Sequence, residues 1–515
     1  MRGACTVEVT LHNGTGSDGA WELTLDSDDA YWWSSSTQST VSVAAGTTRT
    51  FVLVGTLTGR SVGWATHPTS SAYLSVRGPG VTRQKMNVCY RQLTLVAPPG
   101  AGTETAPFAM SASLARVLWT PMDDTLKAGR ETMAGSRFEP AELPADARAY
   151  SGFALLFMTN EEWAALPADR REAIFDWVAL GGTLSLVGPP VFEERLGLGL
   201  ITGWPEARDA PSAAAYALRQ LAAVPAEDPR FDSGSNPEAT WSLPDRLARP
   251  RNNEGAVFVV LLAVGTVIGP LNLFWLARGR HRHRVYWTTP LLAAGAAVVM
   301  LGMIVLRDGV GGEGYRWTTV AVMPRAHRAA VVQEQVARTG LLLSTGFEAR
   351  EPMTGWPLAY QSGVEAVLSP MNIENQGARR GGWFRSRTVQ AHYLEAIRPT
   401  RASVQVHFGP RVEAISSIED TLDELFVVDD EGHGWSAHAV AAGQRVVLER
   451  ADDPARWLSA LQDAGPVNRR RLETLATARS YFFARARRGA PIETLSAIRW
   501  QKSVFLYLGP VEPLS

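Results

Sequence analysis

Two runs of the chain carry no charged position. Residues 255–277 read GAVFVVLLAVGTVIGPLNLFWLA, and residues 285–306 read VYWTTPLLAAGAAVVMLGMIVL. As helices, both are long enough to cross a hydrocarbon core of about 30 Å. They predict a transmembrane hairpin closed by 278–284, RGRHRHR, with Trp275, Tyr286 and Trp287 where an interfacial aromatic belt falls. Elsewhere the pattern alternates. Through 1–110, short runs such as TVEVTL (6–11) and TFVLV (50–54) are separated by Gly, Asn and Ser turns, which predicts an immunoglobulin-like β-sandwich. Through 112–250 apolar runs expected as strands, at 114–119 (LARVLW), 153–158 (FALLFM) and 183–188 (TLSLVG), flank a helical pattern in which Ile174, Trp177 and Val178 share a face and Gly181-Gly182 ends the helix. That succession predicts a parallel, three-layer α/β unit. After the second span, 315–515 reads as a β-rich α+β region, with strands at 317–322 and 403–408 and a Gly-containing hairpin within 425–440. The stretch 328–344 fits neither period cleanly, and 468–488 reads as an arginine-rich helix with a solvated face.

A length of 515 residues exceeds a single core. The chain therefore reads as a multidomain membrane protein. Its net charge of -1 and the lack of a recognition motif exclude nucleic acid as a partner. Charge matters locally. Arg278, Arg280, Arg282 and Arg284 mark 278–284 as a cytoplasmic loop, which places both soluble regions outside the cytoplasm. Arg246, Arg249 and Arg251 ahead of the first span weaken this asymmetry without reversing it. An outside location asks for an export signal, whereas MRGACTVEVTLHNGTG enters strand-like alternation at once. The expectation is a signal segment ahead of this start, or else the inverted topology. Gly269-Pro270 predicts a kink that opens a carbonyl near Asn272. Cys5 and Cys89, the only cysteines, are unclustered; they form a disulfide in an oxidising compartment, or they are two unrelated thiols.

Candidate chemistry is sparse. In an open α/β sheet, ligands bind beyond the carboxyl ends of the strands, which would gather Asp123, Asp124, Asn160 and Glu161 beside Gly188 in one crevice suited to a cation or a basic ligand. Alternatively Asn160 and Glu161 start a helix and the aspartates face solvent. Asp429, Asp430, Glu431, His433 and His438 match no familiar ligand spacing and read as a polar hairpin tip. The arginines around His281 and His283 repel a cation. No metal and no cofactor is expected. Trp32 and Trp33 either form a sugar-stacking platform or pack as core and edge.

The strand at 153–158, the helix ending in WVALGG and the strand TLSLVG together resemble the class I glutamine amidotransferase-like fold in the form carried by bacterial membrane proteins. Amidotransferase chemistry needs a cysteine nucleophile and a histidine, and 112–250 contains neither. The order of the whole chain, with GPLN at 269–272, the basic loop and WTTP at 287–290, resembles a family of bacterial membrane proteins that has this degenerate domain, a two-helix hairpin and no agreed catalytic motif. The reading that follows is a non-enzymatic envelope scaffold or binding protein in the cytoplasmic membrane, contacting lipid and protein partners. The alternatives are a cell-wall glycan-binding module and a hydrolase with an unusual acidic site at Asp123, Asp124 and Glu161.

Overall fold

The computed structural model describes residues 2–29, 33–58, 70–88, 107–128, 135–204, 209–223, 247, 254–276, 279–358, 371–374, 378–451, 472, 475 and 478–514. Six N-terminal strands form two sheets. β1 (Arg2–His12) pairs antiparallel with β4 (Thr48–Thr58), and β2 (Gly19–Asp29) lies between β3 (Trp33–Val43) and β5 (Ser70–Gly78), with β6 (Val81–Val88) beyond β5. Val9 and Leu53 of the first sheet meet Trp21, Leu23, Val41 and Leu74 of the second in one core. This is how alternating apolar positions bury one face of each sheet.

The α/β unit holds β7 (Phe108–Ser111), β8 (Gly135–Phe138), β9 (Leu155–Thr159), β10 (Thr183–Val187), β11 (Phe192–Leu196) and β12 (Gly199–Trp204), in the order β11-β12-β10-β9-β7-β8. Every neighbouring pair is parallel except the β11–β12 hairpin. On one face lie α1 (Ala112–Ala128) and α4 (Ala210–Ala223); on the other lie α2 (Asn160–Ala165) and α3 (Ala168–Ala179). The three layers are present, but the stretch 114–119 expected as a strand is part of α1. Leu114, Ala115, Leu118, Trp119, Met122 and Leu126 are buried at the three- and four-residue spacing of a helix face. The strand is Phe108–Ser111, buried at each position.

The two apolar runs fold as helices long and apolar enough to cross a membrane. α5 (Glu254–Thr266) continues as a π-helical stretch, Val267–Leu276, followed by 3₁₀ turns over Gly279–Arg284 and by α6 (Val285–Asp308). Pro270 donates no backbone hydrogen bond, and the wider π-helical turn is where such a break is absorbed, so Gly269 and Pro270 sit inside this stretch. Phe274, Trp275, Tyr286 and Trp287 are between 71% and 82% exposed.

Beyond α6, a nine-stranded sheet takes the order β16-β19-β14-β13-β27-β26-β22-β23-β25. Its strands are β13 (Gly312–Met323), β14 (Arg328–Thr339), β16 (Met353–Leu358), β19 (Val389–Pro399), β22 (Leu422–Val428), β23 (Gly434–Val440), β25 (Glu449–Ala451), β26 (Tyr481–Ala486) and β27 (Ile498–Pro510). The ambiguous stretch after 328 is therefore a strand. Residues 481–486, expected as helix, are a strand too, with only Arg485 exposed. A small sheet of β20 (Val404–His407), β21 (Glu413–Ser416), β24 (Arg445–Val447) and β28 (Glu512–Pro513) covers one side.

Three short strands, β15 (Phe347–Glu348), β17 (Met371–Glu374) and β18 (Ala378–Gly381), leave this region and extend the N-terminal sheet to the order β15-β18-β17-β3-β2-β5-β6. β17 runs parallel to β3, from Met371 opposite Ser35 to Glu374 opposite Gln38. The chain before the hairpin and the chain after it thus build one sheet. The α/β unit docks on the nine-stranded sheet as well: Leu180 and Leu198 enter the core of Trp317, Tyr481 and Phe483. Tyr481 donates from its hydroxyl to the Gly197 carbonyl at 3.1 Å, and Arg328 Nη1 donates to both carboxylate oxygens of Asp176 at 2.8 Å.

Candidate functional site

The carboxyl ends of β7, β9 and β10 meet where the strand order reverses, the position at which open α/β sheets bind ligands. Thr159 caps α2: its hydroxyl accepts from the Glu162 amide at 3.1 Å while Glu162 Oε2 accepts from the Thr159 amide at 2.9 Å. This reciprocal box satisfies two amides that the first helical turn leaves open. The other oxygen of Glu162 accepts from Ser113 Oγ at 2.6 Å, which ties α2 to the start of α1. Asn160 donates from Nδ2 to the Gly188 and Pro189 carbonyls at 2.7 and 2.8 Å, pinning the loop after β10.

Of the residues expected in this crevice, Asn160 and Gly188 are in contact. Asp123 and Asp124 lie in the fourth turn of α1, which starts at the strand ends, so about 11 residues of helical rise carry them roughly 16 Å along the helix from its start. The misplacement follows from taking 114–119 as the strand. Asp123 pairs with Lys127 at 2.6 Å, and Glu161 is an exposed residue of the first turn of α2. Ser113 and Glu162 are the crevice residues that the sequence pattern did not single out, although Thr159 followed three positions later by Glu162 is a legible capping signature.

At the β22–β23 turn, Asp429, Glu431 and His433 bring one ligand atom each within 4.8 Å of one another. The buried Asp429 carboxylate accepts from the His433 amide at 2.7 Å, from His433 Nδ1 at 3.2 Å and from Trp435 Nε1 at 3.0 Å. Burial opposes its ionisation, yet these donors hold its carboxyl below the usual range. Its oxygens shape the hairpin.

Inside the nine-stranded sheet, His392 is 1% exposed and donates from Nε2 to the Trp383 carbonyl at 2.6 Å. Burial pulls its pKa down to about 4, so the ring is neutral at physiological pH. Its Nδ1 has no hydrogen-bond partner among the described residues.

In the hairpin, Asn272 is 2% exposed. Its Nδ2 donates to Thr289 Oγ1 at 2.8 Å, and its Oδ1 accepts from Thr288 Oγ1 at 2.6 Å. The Asn272 side chain therefore links the two helices. Arg280, Arg282 and Arg284 fall in the 3₁₀ turns, and Arg284 is exposed. Cys89, Arg278 and Trp32 lie outside the described residues, so the Cys5–Cys89 disulfide and the Trp32–Trp33 platform do as well.

No family model matches the chain, and no curated protein matches it.

Proposed function

We propose that this chain is a non-enzymatic binding protein of the cell envelope, anchored in the cytoplasmic membrane by its two apolar helices and presenting one extracytoplasmic body to protein partners. The observation that carries the reading is the pairing of β17 with β3. Strands from either side of the hairpin share a sheet, so the hairpin leaves and returns on one side of the bilayer, and the body cannot be divided between compartments. The arginines of 278–284 supply the orientation, with the loop inside.

Two observations favour binding over catalysis. At the strand-end crevice Ser113, Thr159 and Glu162 are engaged in a cap, and Asn160 is engaged in a loop tie. Residues 112–250 also contain no cysteine or histidine to serve amidotransferase chemistry. The strand order of the α/β unit, with its switch between β7 and β9, suits a degenerate amidotransferase-like domain, and the N-terminal strands suit an immunoglobulin-like module. The experiment is photo-crosslinking in cells followed by purification in mild detergent. Specific envelope proteins retained by the full chain support the reading, and a chain recovered alone under every cross-linking condition argues against it.

A further inference from the structure

A cavity of about 680 Å³ opens where the N-terminal sandwich, the α/β unit and the post-hairpin strands meet. That is within the range of small-molecule sites, roughly 300–1,000 Å³. Arg379 of β18 lines it and is 4% exposed. Among the described residues the guanidinium reaches only the Met353 carbonyl, from Nη2 at 3.4 Å, and its Nη1 has no hydrogen-bond partner. The Thr37 hydroxyl, buried in the same wall, is likewise unpartnered among the described residues.

The other charges of the wall do not neutralise Arg379. Arg148 and Asp146 satisfy each other, through Arg148 Nε to Oδ1 at 3.0 Å and Nη2 to Oδ2 at 2.6 Å. Glu351 is engaged by Arg398. Burial pulls the Arg379 guanidinium down to about 10, and the Arg148 charge adds to the pull. A buried cation with no counter-ion is unfavourable, so the inner wall is matched to an anion. At the mouth, exposed Glu8, Glu142 and Asp169 outnumber the arginines there, exposed Arg350 and half-buried Arg170, which donates to the Ala141 carbonyl, so the rim disfavours multiply charged anions and attracts an ammonium.

We infer that this cavity binds a small zwitterion, either a free amino acid or the terminus of a short peptide, with its carboxylate on Arg379 and Thr37 and its ammonium toward Glu8, Glu142 and Asp169. The inference goes beyond the anchoring reading and does not depend on which side of the membrane the body faces. Each of the three regions supplies part of the wall, so the site exists only when the chain before the hairpin has folded with the chain after it.

The test is thermal unfolding of the full chain in detergent, at constant ionic strength, with glycylglycine, acetate or inorganic phosphate. Glycylglycine should raise the midpoint saturably, acetate should do so more weakly, and phosphate should not. Arg379→Gln should weaken glycylglycine about tenfold or more, as loss of a charge-assisted contact does, without lowering the midpoint of the unliganded protein. Glu142→Gln, on the exposed rim where folding is not at stake, should weaken glycylglycine about threefold and leave acetate unchanged. The inference is overturned if no probe gives a saturable shift, if phosphate matches glycylglycine, or if the shift survives Arg379→Gln.

Discussion

His392 is a residue whose ionisation the fold opposes by enclosing it. In the unfolded chain it takes up a proton near pH 6.5; in the folded protein it does so only near 4. A lowered folded-state pKa means that the unfolded state binds the extra proton first, so stability is full above pH 6.5 and falls as the pH drops toward 4. The full loss is about 3 kcal/mol. Chemical denaturation between pH 7 and 4 should show this slope, and His392→Gln should flatten it from a lower plateau. An unchanged slope in the variant would assign the acid sensitivity to other groups. Neither the burial of His392 nor that of Arg379 was legible in the sequence. Both residues belong to polar-looking stretches, and only the neighbouring strands reveal that they are enclosed.

Among the elements, the hairpin and the α3–β12 junction carry the sharpest expectations. Asn272→Leu removes the two hydrogen bonds by which its side chain links the apolar helices and should destabilise their pairing by about 1 kcal/mol, measured by unfolding in mixed micelles. Thr288→Ala with Thr289→Ala should add almost nothing on that background, because the three residues form one unit. Full additivity would break that grouping. At Gly199 a Cβ would run into the Val178 carbonyl oxygen, a backbone atom with no room to yield. Gly199→Ala should therefore cost about 3 kcal/mol or more in the same assay, whereas a change under about 1 kcal/mol would show that the strand and helix can part. The apolar spans were legible because a soluble helix seldom goes uncharged over a membrane's width: one of its faces meets water and carries polar groups. The error over 114–119 has an equally physical origin. LARVLW is short enough to fit either period, and the positions that decide it, Met122 and Leu126, follow Pro121, which reads as a helix breaker. Residues 481–486 misled for a similar reason: their arginines suggest a solvated helix, yet YFFARA is a strand with its apolar residues buried.

In the whole molecule, the hairpin interrupts a body that is continuous in space. The sequence alone suggests two separate soluble regions, because hydrophobic pattern reports a strand's exposed and buried faces and says nothing about a partner more than 300 positions away. β3 and β17 are such partners, as are the walls of the cavity around Arg379. The most direct test of a single body on one side of the membrane is thiol accessibility in intact cells. Single cysteines would replace Ser17, Gly279 or Glu431, each exposed, in a chain lacking Cys5 and Cys89. A membrane-impermeant thiol reagent should label positions 17 and 431 from outside and reach 279 only after the membrane is opened. Labelling of 17 and 431 from opposite sides would contradict the shared sheet, and labelling of 279 alone would reverse the orientation.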